Sequence, residues 1–223
     1  TTAAGLGVPV IGGHTEITSR VTEGVVAVTA IGRAPKGSFV TSSGGRPGDD
    51  LVLTKGAGIE GTLILAQDFP DLLPKSMVTP AVLDWFRNRL SVVREGVHAA
   101  RFGVHAMHDV TEGGILGAAA ELTNASSLGC EIWEERVFVP DLTKAYAEKL
   151  AIDPLKLLSS GAMLIATDRG RELVEELAGL EIPAFIIGRL TEDKARRVVR
   201  KDGRVEEIPL FVQDELWRIL AEN

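Results

Sequence analysis

Residues 107–122 read MHDVTEGGILGAAAEL, and this stretch decides the fold class. The run from Val104 to Met107 just before it reads as a short strand. Ile115 to Thr123 reads as a helix, with Leu116, Ala119 and Leu122 in line on one face. Between them lies a polar loop, His108-Asp109-Val110-Thr111-Glu112-Gly113-Gly114. A strand that passes through a glycine loop into a helix is the building unit of an α/β protein. Such a loop can also aim backbone N–H groups and a helix dipole at an anion.

The same alternation continues on both sides. Upstream, Leu51 to Thr54 reads as a strand and Glu60 to Gln67 as a helix. Thr79-Pro80 supplies an N-cap and a first-turn proline. From there Leu83, Phe86, Leu90, Val93, Val97 and Ala100 recur at spacings of three and four, which predicts one long helix that stops at Gly103. Downstream, strands are expected at Cys130–Trp133, Ala162–Thr167 and Ala184–Gly188. Helices are expected at Thr143–Leu150, Pro154–Leu158, Glu172–Ala178 and Gln213–Ala221. Lys201-Asp202-Gly203 between two β-branched runs predicts a hairpin.

The first part of the chain differs. Two apolar runs, Gly7–Ile11 and Val25–Gly32, read as strands, but two strands in so short a segment cannot build a core. Thr41 to Asp50 is small, polar and turn-forming, and reads as a domain boundary.

Composition narrows the class further. The chain has 223 residues, with 24 Lys and Arg against 31 Asp and Glu, a formal net charge of −7. That balance argues against a nucleic-acid module, which carries a basic face. A single cysteine excludes an internal disulfide framework and a multi-cysteine zinc site. No apolar run reaches the roughly 18 residues of a membrane span, so neither membrane nor nucleic acid is an expected partner. No signal peptide is visible, which gives a cytoplasmic expectation. The chain starts without Met, so a processed and a truncated start both stay open.

Three glycine loops follow strands. Gly12-Gly13-His14-Thr15-Glu16 allows close approach of backbone to a phosphate, with a hydroxyl from Thr15 and a metal ligand from His14 or Glu16. Its bland reading is an ordinary glycine turn. Gly56-Ala57-Gly58-Ile59-Glu60-Gly61 matches the dinucleotide fingerprint, with Lys55 beside it. The fingerprint needs a second strand after its helix. Pro70 and Pro74 stand there instead, which argues against a nicotinamide or flavin enzyme. In the third loop Asp109 has two readings. It caps the helix in a box with Glu112, or it holds Mg2+ through oxygen while Gly113 and Gly114 open the helix to phosphate. His105 and His108 lack the further ligands that a metal pair needs, and Cys130 reads as a buried small residue. No Ser/His/Asp set stands out.

In order, GGHTE, TAIG, PGDDLVLTKGAGIEG, MHDVTEGGILGAAAEL and DPLKLLSSGAMLIAT resemble the aminoimidazole ribonucleotide (AIR) synthetase superfamily, and its HypE-like, AIR synthase-related branch most of all. The resemblance implies a PurM-like architecture of α/β class with mixed sheets. Residues 1–46 would be a remnant of the ATP-binding, dimerising N-terminal domain, and residues 47–223 a C-terminal domain. It implies ATP and Mg2+ as cofactors and a homodimer. Gly12, Gly13, His14, Thr15, Thr111, Gly113 and Gly114 would bind nucleotide or phosphate, and Asp109 would hold the metal. The resemblance places the family's acidic GDD-type segment ahead of Thr1, and Leu220-Ala221-Glu222-Asn223 does not match the terminal cysteine expected of HypE.

The expected function is that of an ATP-dependent enzyme that phosphorylates an amide- or carbamoyl-type oxygen on a small or protein-borne substrate. The alternatives are a non-catalytic, dimerising or regulatory module of this fold, and a small-molecule kinase of the thiamine-monophosphate kinase type.

Overall fold

The computed structural model of the chain describes residues 2–222. It divides into two compact units, one reaching Ala34 and one starting at Pro35.

The first unit holds a single short helix, α1 (Thr2–Gly5). The two runs expected as strands form none: residues 8–34 contain neither strand nor helix. Val10, Ile11, Val25, Val26, Val28 and Ile31 are each at least 80% exposed. A strand persists only with ladder partners and a buried face, and this segment supplies neither.

The second unit runs β1 (Asp50–Thr54), α2 (Ile59–Asp68), α3 (Pro80–Arg87), α4 (Val93–Phe102), β2 (Ala106–Val110), α5 (Gly114–Ser126) and β3 (Gly129–Trp133). It continues with α6 (Asp141–Leu150), β4 (Ala162–Thr167), α7 (Gly170–Gly179), β5 (Ala184–Thr191), β6 (Arg196–Val199), β7 (Val205–Glu207) and α8 (Glu215–Glu222). The segment Pro154–Lys156, expected as a helix, is one short 3-10 turn.

The strands make one seven-stranded sheet in the order β2-β4-β1-β5-β3-β6-β7. Only the β3–β6 pair is parallel. β1 is antiparallel to both its neighbours, so no parallel βαβ unit forms around the GAGIEG loop. The sheet is covered on both faces. Leu51, Leu53, Leu164 and Ala166 pack against Ile115, Ala119 and Leu122 of α5. Val52, Met163 and Ile165 face Ala99 of α4 and Leu173 and Leu177 of α7. This two-sided burial explains why β1 and β4 read as continuous apolar runs. A third cluster ties α2, α3, α6 and α8 together around Phe86, Tyr146 and Leu157.

The single long helix expected from Pro80 to Gly103 is two helices. α3 ends at Arg87, with Asn88 as its C-cap, and α4 starts after Val92. The break frees the carbonyls of Arg89 and Ser91, which accept hydrogen bonds from the Lys55 ammonium at 3.1 and 2.7 Å. Tertiary contacts override a stripe that reads correctly on each side of the break.

The Asp109–Glu112 capping box also fails to form. Asp109 lies inside β2, opposite Met163. Gly113 occupies the N-cap of α5, at φ 74°, without a side-chain cap of its own. The strand wins because β2 needs five residues of pairing with β4.

A candidate site at one end of the sheet

The antiparallel registers bring the ends of β1 and β2 to the same edge of the sheet as the starts of β4 and β5. The glycine loops of the second unit therefore meet there. The Gly58 N–H donates to Ser159 Oγ at 2.7 Å, and the Gly61 N–H to the Leu158 carbonyl at 2.9 Å. The Gly114 N–H donates to the Thr111 carbonyl at 3.1 Å, and the Ser159 N–H reaches the same oxygen at 3.4 Å. The segment Leu157–Gly161 thus stitches the GAGIEG loop to the Thr111–Gly114 loop. Gly114 is glycine because φ is 59° and a Cβ would stand 2.6 Å from the Leu155 carbonyl.

The start of α5 is filled by a carboxylate of the chain itself. Asp214 Oδ2 accepts the Gly113 N–H at 2.7 Å, and Oδ1 accepts the Leu216 N–H of α8 at 2.8 Å. Asp214 is 3% exposed. Burial raises its pKa, with Glu112 adding to the rise, against the N–H bonds that lower it. Sequence reading missed this residue. The available signal was a helix-capping Asp just before Glu215-Leu216-Trp217.

Asp109 and Thr111 are different. The Asp109 carboxylate is exposed, and neither it nor the Thr111 hydroxyl has a hydrogen-bond or ion-pair partner among the described residues. Strand alternation turns Asp109 to the Met163 face, the one that α4 and α7 cover. Gly113 and Gly114 start α5, which covers the other face. Among the described residues no group of three His, Cys, Asp or Glu side chains is placed to hold a metal ion.

Lys55, beside the GAGIEG loop, is buried. It sits at φ 61°, and its ammonium donates to the carbonyls of Arg89, Ser91 and Gly161 and pairs with Glu95. Burial lowers its pKa, an effect that Glu95 opposes. The two histidines are engaged separately. His105 Nδ1 lies 2.9 Å from Asp49 Oδ1, and His108 bridges Ser42 Oγ at 2.8 Å and Glu121 Oε2 at 2.7 Å.

Gly12, Gly13, His14 and Thr15 lie in the first unit, all exposed and outside any helix or strand. The His14 ring is 3.9 Å from Glu16 Oε2.

Residues 46–201 match the family described as AIR synthase related protein, C-terminal domain, and the chain belongs to that family. It is similar to the phosphoribosylformylglycinamidine synthase subunit PurL of Methanocaldococcus jannaschii, 27% identical over 92% of this chain and 28% of that protein. It is 29% identical to the carbamoyl dehydratase HypE of Rhizobium leguminosarum bv. viciae, over 71% of this chain and 44% of that one. The crystal structure of E. coli HypE, a hydrogenase maturation protein, superposes with TM-score 0.67 and 24% identity, covering 81% of this chain and 55% of that chain. Another HypE structure, a complex with ATP, has TM-score 0.58 and 21% identity over 79% of this chain and 55% of that chain. The fold is thus PurM-like, as in HypE, while the chain spans about half or less of the length of these relatives.

Proposed function

We propose that the chain belongs to an ATP-dependent enzyme that phosphorylates an amide- or carbamoyl-type oxygen of a small or protein-borne substrate. Phosphorylation makes that oxygen a leaving group, as the γ-phosphoryl passes to it and ADP departs. The observation that carries the reading is the unpartnered carboxylate of Asp109 beside the unpartnered hydroxyl of Thr111, at the end of β2, in the family's glycine-bearing loop. The fit to Mg2+ is chemical. Mg2+ is held through one or two carboxylates, with water and substrate phosphates completing its shell. A lone exposed Asp109 suits that mode and would not suit a cage built from protein alone. When bound, the ion neutralises charge on the transferring phosphates.

Thr111 would donate its hydroxyl to a phosphate oxygen. Gly113 would donate its N–H only after Asp214 leaves it, and the Gly114 N–H is engaged with Thr111. Gly12, Gly13, His14 and Thr15 would serve the nucleotide from the domain of residues 1–46. A homodimer is part of the reading, because the exposed apolar run Val25–Ile31 is a surface that a partner would cover. A cytoplasmic location is proposed with it. No helix among the described residues is long and apolar enough to cross a membrane.

A second reading, a non-catalytic regulatory module, is favoured by one observation: the N-terminus of α5 is satisfied by Asp214 and needs no phosphate. ADP release measured with this chain, and with any longer form of the protein, separates the two. Release that depends on a carbamoyl or amide substrate supports the enzyme. Its absence in every form supports the module.

A further inference from the structure

The chain carries a net charge of −7, yet one cavity in it is walled by three cations. This cavity, of about 390 Å³, lies between the start of α4 and the loop before β5. Its wall includes Lys55, Asn88, Arg89, Ser91, Arg94 and Glu95. The volume is within the range of small-molecule sites.

The three cations are not equivalent. The Lys55 ammonium is surrounded by three carbonyls and the Glu95 carboxylate, so its protons are already placed. Its charge is met inside the wall. Arg89 and Arg94 have no carboxylate within ion-pair distance among the described residues. Arg89 stacks on Trp85, 3.9 Å from the ring centroid, and donates Nη1 to the Trp85 carbonyl at 3.0 Å. Arg94 donates Nη2 to the Leu180 carbonyl at 2.8 Å. Each guanidinium is therefore held in place while most of its five donors stay unused. Arg200 shows the contrast, with Asp153, Glu206 and Glu134 all within 4.0 Å.

We propose that this cavity binds a small phosphomonoester, with its phosphate held between the guanidinium groups of Arg89 and Arg94. A guanidinium fork matches phosphate oxygens in pairs, and a fixed fork loses little entropy on binding. The electrostatics agree. Burial lowers the Lys55 pKa and Glu95 opposes this, while the nearby charges of Arg89 and Arg94 lower it by smaller amounts. An anion would relieve that crowding. Glu181, exposed in the same wall, leaves the sum positive, at three cations against two acids. Lys55 sits at φ 61°, and its side chain is buried in the wall. The cavity also lies at the end of the sheet where the glycine loops meet. Asp109, Met163 and Thr54 share one row of the same face, so Asp109 is about 10 Å from β1, two strand spacings away.

The test is calorimetric titration of glycerol 3-phosphate, inorganic phosphate and succinate into the full chain, at constant ionic strength and without nucleotide. Glycerol 3-phosphate is expected to bind, and R89M/R94M to weaken it at least about tenfold with an unchanged thermal midpoint. If the double variant does not fold, R94Q, changed at an exposed side chain, is expected to weaken binding several-fold. No binding to the wild-type chain overturns the proposal, as does equal binding by the folded variants. Succinate tighter than both phosphates overturns the choice of phosphomonoester. Because no ATP or Mg2+ is present, either result leaves the nucleotide reading to its own experiment.

Discussion

The Asp214 carboxylate accepts the Gly113 N–H at 2.7 Å and so joins the first turn of α5 to the start of α8. An anion at this point meets the positive end of the α5 dipole and satisfies a donor that would otherwise be stranded. Under the proposed function a phosphate would use the same N–H, and the structural cap would then compete with it.

Asp214→Ala removes two buried backbone bonds at once. The expected loss is about 1–3 kcal/mol of unfolding free energy, read from denaturant midpoints. A change within error would mean that α5 and α8 hold without the carboxylate.

The pH dependence of this residue has a definite sign. Burial raises the Asp214 pKa, so the folded chain binds that proton more tightly than the unfolded chain does. The stability this adds is complete below the ordinary carboxylate range and fades as pH rises through the raised value. The stability of the wild-type chain over Asp214→Asn is therefore expected to fall as pH rises above the ordinary Asp value of about 3.9. A difference that grows with pH would show the N–H bonds winning over burial.

Lys55→Met leaves Glu95 buried with no counter-charge and removes the ammonium from three carbonyls. The expected cost is about 3–5 kcal/mol. The double variant Lys55→Met with Glu95→Leu is expected to recover much of it. A double variant as weak as the single would place the loss in the carbonyl contacts rather than in the stranded charge.

Cys130 is fully buried in β3, and burial pushes its thiol up to about 12. Thiolate is the reactive form, so the native chain is expected to resist a thiol reagent at pH 8 and to react in denaturant. Rapid native labelling would show that β3 opens.

Much of this was readable from the residues. The β1 and β4 runs, the Pro80 start of α3 and the Asp202-Gly203 hairpin rest on local signals, and the structure has them. The break between α3 and α4 was not readable. Leu90 and Val93 continue the apolar spacing, and the group that takes the carbonyls freed at the break, Lys55, is far away in sequence. Asp109 fits a capping box by spacing and a strand by pairing, and only the β4 register decides. The candidate loops were visible as glycine motifs. That Ser159 and Asp214 would take their N–H groups was not visible, because both partners are 101 residues away from the donors. Val10 and Val25–Ile31 look like strands because apolar β-branched runs usually are, but pairing is a property of the neighbours.

The most direct measurement is titration of Mg-ATP into this chain, and into any longer form of the protein, alongside Asp109→Asn. The account predicts saturable binding in at least one form, weakened about tenfold or more by the loss of the carboxylate. No binding in any form, or binding indifferent to Asp109→Asn, would contradict it.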